Sequence, residues 1–385
     1  LKNIFVIVCI TSLLLAGKVS AQKTDSSLIN QLLCDVAAAQ YKTEGKYGFR
    51  PGMFYSYKKW AGYPHRYSPD NNIFYTAIIA FALQNMLPDL SAANQVIAKD
   101  IIKKAIAAYP LYQNKNGLPS YFFWQGGVPI MPHTLFAYKL SGLLATSEDV
   151  DDSIMLLMTS NASDSIVKKL KLVMDSVANG QLRTITNTSA RYKKLPAHTT
   201  YLGHKMRVDF DLAVHCNVLY FLYQNKLPFN RFDTATLQLV VDMVKKRAYK
   251  KQPAYVAPYY VSTTVQLYHI ARLMGKFKVA ELEPYRQQLA NDLQTQQASG
   301  VNIMEDIIIQ TSLKWLGIKT EKLPITGLQQ FNKSNQLQFV FYQARAASQL
   351  PNPFKKLLLH FSMLNYHFFC PAYNKVLLLE YLINP

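Results

Sequence analysis

The chain of 385 residues is half apolar and only 17% charged, a balance that excludes intrinsic disorder. Its formal net charge of +19 would draw anionic partners, an anionic membrane surface or an acidic polysaccharide among them. Nucleic acid is set aside, because no nucleic-acid-binding motif accompanies the charge.

Lys2 precedes an apolar run from Ile4 to Gly17, and Val19-Ser20-Ala21 then offers small residues where a signal peptidase cuts. Residues 1–21 therefore read as a secretory signal peptide, with a mature domain over 22–385 that is soluble, monomeric and exported to the periplasm or beyond. No later apolar run reaches the length of a membrane span. Cys34, Cys216 and Cys370 lie too far apart to argue a disulfide framework, and each reads as a small apolar core residue.

Past the leader, segments with one apolar face alternate with segments apolar nearly all round. Leu28–Tyr41 is of the first kind; Asn72–Leu87, which includes Ile73-Phe74-Tyr75-Thr76-Ala77-Ile78-Ile79, is of the second. The alternation continues through Ser91–Tyr109 and Asp151–Ser160, then Ser163–Ala178 and Asp211–Gln224. Thr234–Tyr249 and Val261–Met274, Val279–Gln297 and Met304–Leu316, and Pro353–Met363 and Tyr373–Leu382 complete six pairs. Six such hairpins predict an all-α fold, a single-domain (α/α)6 toroid with the apolar helices inside. The connections Asn114–Thr146 and Asn179–Arg207 are long enough to cover a site. A strand pair, Leu337–Tyr342 with His367–Cys370, is the one β expectation. Lys168, Lys169 and Lys171 read as a solvated helix face, and Lys245, Lys246, Arg247, Lys250 and Lys251 as a cationic helix end.

Three inner segments begin with acids: Asp70-Asn71-Asn72, Glu148-Asp149-Val150-Asp151-Asp152, and Asp209-Phe210-Asp211. Helix caps account for single acids at such places. Four acids in five positions exceed what a cap needs and push at least one pKa upward, the condition for general-acid chemistry. In a toroid with parallel inner helices these starts would meet at one mouth. Trp60 and Trp124, in long connections, and Tyr259, ahead of the fourth inner segment, join the substrate-binding candidates. His215 follows Asp211 by four positions and can share its helical face, whereas Asn217, six on, would point elsewhere. His269 is similarly placed with Arg272. His198 and His204 lie in the second long connection. No HExxH, GxSxG, P-loop or GxGxxG motif is present, so no cofactor or transition metal is expected; the Asp cluster would suit only a hard cation.

Asp149-Val150-Asp151-Asp152 resembles the DxDD motif of the class II terpene cyclases, relatives of squalene-hopene cyclase that belong to the toroidal terpenoid cyclase and prenyltransferase superfamily. The resemblance implies that Asp151 is the acid that protonates an alkene or epoxide, with Asp149 and Asp152 as its partners. The leading expectation is thus an exported enzyme acting on a polyprenyl or terpenoid lipid. The alternatives are a glycan-active (α/α)6 hydrolase or lyase and a non-catalytic envelope-binding module.

Overall fold

The computed structural model describes residues 26–62, 67–125, 148–203, 206–324 and 339–383. The leader, His204 and the first two residues of Leu337–Tyr342 lie outside this set. In chain order the longer helices are α1 (26–39), α2 (Phe74–Met86), α3 (Ala92–Ala108), α4 (Val150–Thr159), α5 (Asp164–Val177) and α6 (Leu212–Gln224). The second half adds α7 (Arg231–Lys245), α8 (Thr263–Lys276), α9 (Arg286–Ala298), α10 (Ile303–Trp315) and α11 (Pro371–Ile383). Among the described residues no helix is long and apolar enough to cross a membrane.

Each helix follows from local chemistry. No charge interrupts α2, and its first ten residues are all buried. By contrast α3 starts where the Ser91 hydroxyl accepts from the Asn94 amide and turns Ala98, Ile101, Ile102 and Ala105 inward. A reciprocal capping box between Asn230 and Asp233 opens α7.

The all-round apolar helices pack on one another in chain order. Helix α2 meets α4, α4 meets α6, α6 meets α8, α8 meets α10, α10 meets α11, and α11 returns to α2. The amphipathic helices lie on these, α3 on α2, α7 on α6 and α9 on α10. One contiguous apolar cluster runs through all of them.

The fold is helix-rich but not purely α, which corrects the expectation. A four-stranded antiparallel sheet has the order β2-β1-β6-β5, from β1 (Tyr57–Trp60), β2 (Tyr67–Pro69), β5 (Gln343–Arg345) and β6 (Asn365–Phe369). Its central pairing sets Tyr57 opposite Phe369 and Lys59 opposite His367. A smaller pair, β3 (Tyr121–Phe122) with β4 (Glu148–Asp149), abuts the start of α4. These strands come from inter-helix connections, whose backbone must be paired once buried. At two to five residues they are too short to show periodicity in sequence. The anticipated pair is shifted: β6 is present, but its partner is Gln343–Arg345.

Three further expectations are corrected. Pro353–Met363 is α-helical only over Phe354–Leu358, and of its apolar side chains Leu359 is buried while Phe354, Leu357, Phe361 and Met363 point to solvent without a core to pack on. Lys171 is buried, held by Asp175 at 2.5 Å and Asp233 at 3.1 Å. Cys34 is exposed, whereas Cys216 and Cys370 are buried.

At Gly275, α8 lies against α10 with no room for a side chain. A Cβ there would lie 2.7 Å from Trp315 Cβ and 3.0 Å from its Cγ. Gly275→Ala gains helix propensity yet wedges α8 from α10, so urea melts should show a net loss of about 1–2 kcal/mol. An unchanged midpoint would mean that the two helices part freely.

Candidate acidic site at the inner-helix starts

The acids that begin α2, α4 and α6 are withdrawn from water, apart from the half-buried Glu148 and Asp149, and each meets a different environment. Asp70 is fully buried. The Lys58 ammonium reaches it at 2.8 Å, Trp124 Nε1 donates to both its oxygens at 3.1 and 3.2 Å, and Asn72 Nδ2 donates at 2.7 Å. Asn72 in turn caps α2, accepting from the Tyr75 amide at 3.2 Å and from the Tyr342 hydroxyl at 2.9 Å.

At α6, Asp209 accepts from the Tyr259 hydroxyl at 2.7 Å and Asn187 Nδ2 at 2.9 Å, with Lys355 Nζ at 3.7 Å. Asp211 caps the helix through the Ala213 and Val214 amides and accepts the Tyr259 amide at 2.9 Å. Tyr259 therefore ties both acids together, hydroxyl to one and amide to the other.

At α4, the Asp149 side chain caps the helix through the Asp151 amide at 2.7 Å. Asp151 accepts from Asn217 Nδ2 at 2.6 Å and from the Tyr260 hydroxyl. Asp152 is 1% exposed, and neither of its carboxyl oxygens has a hydrogen-bond partner among the described residues. An unmet buried carboxylate is costly enough that the group takes up a proton instead. Burial, together with the neighbouring Asp149 and Asp151, accordingly holds Asp152 well above the usual carboxyl range.

Tyrosines connect the three starts. Tyr260 bonds Asp151 and stands in the field of Asp211, while Tyr342 bonds Asn72 and stands in the field of Asp70 and Asp152. The Tyr260 and Tyr342 ring centroids are 6.3 Å apart, with the Phe74 ring 6.3 Å from the first and 5.1 Å from the second. The connection over 179–207 crosses above: Thr200 O accepts the Val150 amide, and the Thr200 amide donates to Asp209 O, joining the α4 and α6 starts. Beside it a small open depression is lined by Val177, Leu182, Arg183, Thr199 and Tyr201.

Other expected site residues stand apart from this set. Trp60 lies on β1, its Nε1 donating to Met363 O at 2.6 Å. His215 does not pair with the Asp211 side chain; its Nε2 donates to His198 O at 2.8 Å, and burial lowers its pKa to about 4. His269 Nδ1 donates to Val265 O at 2.8 Å, leaving Nε2 unpartnered with the ring 4.7 Å from Tyr260. His198 belongs to a second cluster with Asp175 and Asp233, whose ligand atoms lie within 4.8 Å of one another. The Lys171 ammonium already stands between those carboxylates as their cation.

Sequence reasoning missed the residues that hold the acids. Asn217 faces the interior, and Arg272 Nη2 donates to its Oδ1 from within a cage of Phe81, Tyr268 and Tyr220 rings at 5.1, 5.4 and 5.8 Å. A polar residue within an all-apolar helix was the available signal. Lys58 and Lys355 carried none, since a lysine in a short connection ordinarily faces water.

No family model matches the chain, and no curated protein and no solved structure matches it.

Stability should carry the imprint of these buried acids. Burial pushes Asp211 and Glu380 up to about 7, and Asp152 rises in the same direction. Each raised carboxyl contributes stability that is full below its unfolded value and is lost as pH climbs through the folded one. His215 and His269, both lowered, oppose this only below the unfolded histidine value of 6.5. The thermal midpoint should therefore fall from about pH 6.5 to about pH 8. Asp152→Asn should flatten that fall by about 1.4 kcal/mol per pH unit, measured by calorimetry across the range. Identical slopes would mean that Asp152 ionises alike in folded and unfolded chains.

Proposed function

We propose that the chain is an exported (α/α)6 toroid whose mouth protonates a polyprenyl or terpenoid lipid, with Asp152 as the general acid. The closed order of helix contacts, α2 through α11 and back, supports the toroid, with the sheet and the 179–207 connection as additions at its rim. The observation that carries the chemistry is Asp152, a buried carboxyl with no partner beside two other acids.

The resemblance to the DxDD motif gives the acid's role to Asp151; the hydrogen bonds favour its neighbour. Burial raises the Asp151 carboxyl too, but the donors Tyr260 and Asn217 and the nearby Arg272 oppose that rise. Asp152 accepts from nothing, so its proton is free to be given away. Adjacent acids whose environments push their pKa values apart are a recurring basis for acid catalysis near neutral pH.

In the proposed reaction Asp152 transfers its proton to an alkene carbon of the substrate. The π pair forms the new C–H bond, a carbocation remains, and Asp152 becomes a carboxylate. Loss of a proton from a neighbouring carbon to that carboxylate restores the acid and yields an isomerised or cyclised product, without oxidant or reductant. The Phe74, Tyr260 and Tyr342 rings, packed beside Asp151 and Asp152, supply faces suited to a cation.

The test incubates the protein and two variants with isoprenoid lipids of the cell envelope, in parallel with an acidic glycan panel, and reads products by mass spectrometry. Asp152→Asn should lower lipid conversion by about 100-fold or more, while Asp151→Asn should lower it and shift its pH profile. Conversion of glycan alone, or full turnover by Asp152→Asn, would refute the reading.

A further inference from the structure

Four large apolar side chains within ten residues face solvent: Phe354 at 56%, Leu357 at 62%, Phe361 at 57% and Met363 at 63% exposed. Two of them lie on the helix that ends at Leu358 and two follow it, so the stripe that would have faced a core faces outward instead. Isolated exposed apolar residues are ordinary, but a contiguous group marks an interaction surface.

This ridge is joined to the sheet at β1 and β5. Trp60 on β1 donates to Met363 O, and Arg345 on β5 donates to Leu359 O at 2.6 Å. On the face of the sheet away from buried Lys58, Lys59 stands over the exposed Tyr67 ring at 5.2 Å, and Lys59 and Arg345 both act on His367, set opposite Lys59 in β6. Lys356 is exposed on the ridge itself.

The two stretches of chain that build this surface contain no acid. None occurs between Glu44 and Asp70, and none between Glu321 and Glu380. Apolar tips, flanking aromatics and an unopposed cationic surround match the interface of an anionic bilayer, where tips enter the acyl boundary and cations meet phosphate. A second copy of this chain would bring the same cations against these and fits less well.

We infer that the ridge Phe354–Met363, with the adjoining outer face of the β2-β1-β6-β5 sheet, docks the protein on an anionic phospholipid surface. The inference is independent of the acid chemistry, since none of its residues touches Asp149, Asp151 or Asp152.

The experiment compares the full chain with a triple variant, Phe354→Ser, Leu357→Ser and Phe361→Ser. These positions are exposed, so folding should be retained, and circular dichroism with thermal melts checks it. Both proteins carry the same first 25 residues, so any contribution of that apolar stretch cancels. Co-sedimentation uses phosphatidylcholine vesicles with and without phosphatidylglycerol. The wild type should bind the mixed vesicles and the variant at least about tenfold more weakly, with high salt releasing the wild type. Brominated phosphatidylglycerol should quench the emission lost in Trp60→Phe, a local readout that a leader cannot produce. Equal binding by wild type and variant, equal binding to both vesicle types, or absence of Trp60 quenching would overturn the inference. So would a concentration-dependent dimer in sedimentation velocity that the triple variant abolishes.

Discussion

A charge taken out of water must be met by donors or given up, and the arrangement of this protein's interior follows from that choice made repeatedly. Asp70 and Asp209 are met by lysines that reach in from outside the helical framework, Lys58 from a strand and Lys355 from a short helix. Asp211 and Asp149 are met by the amides of the helices they begin. Asp151 is met by two neutral side chains, one of which is held by Arg272. Asp152 is met by no donor among the described residues, and burial holds its carboxyl well above the usual range, as it raises Asp149 to about 8 and Asp211 to about 7. Diverse solutions packed into one region give acids of unlike character, whereas a uniform set of caps would have made them alike.

Arg272 gives the interior its balance. It forms no direct bond to a carboxylate in the acidic site, acting instead through the Asn217 amide. Three aromatic faces stand in for its lost hydration. Glu380 lies within its field on the last helix, and its carboxyl accepts from Tyr268, one of the caging rings. The cation thus couples residues from α2, α6, α8 and α11, helices that are scattered in sequence and adjacent in space.

The helical framework was legible in the sequence because uninterrupted apolar runs and amphipathic partners leave a strong periodic signal. Segments such as Asn72–Leu87 and Asp211–Gln224 fall within a few residues of the helices observed. The sheet was not legible, since strands of a few residues lie inside connections and take their register from distant chain. The acids were legible as a group, being unusual at helix starts. Their individual roles were not, because those depend on partners such as Tyr260, Tyr342, Asn217 and Lys58 that only tertiary packing brings near. Asn217 is instructive: counted from Asp211 along the helix it appeared misdirected, yet its partners lie on α4 and α8, not on its own helix. Lys171 shows the reverse failure, a residue in a lysine run that belongs to a buried cluster.

The pairing of β1 with β6 has a consequence for biogenesis. These strands lie roughly three hundred residues apart in the chain, and α2 likewise waits for α11 to cover one of its flanks. Such high contact order delays closure until nearly the whole polypeptide is available, leaving the apolar flank of α2 uncovered on the nascent chain. A chain built this way closes late, and the exposed flank of α2 would call for chaperone shielding until α11 is available to pack on it.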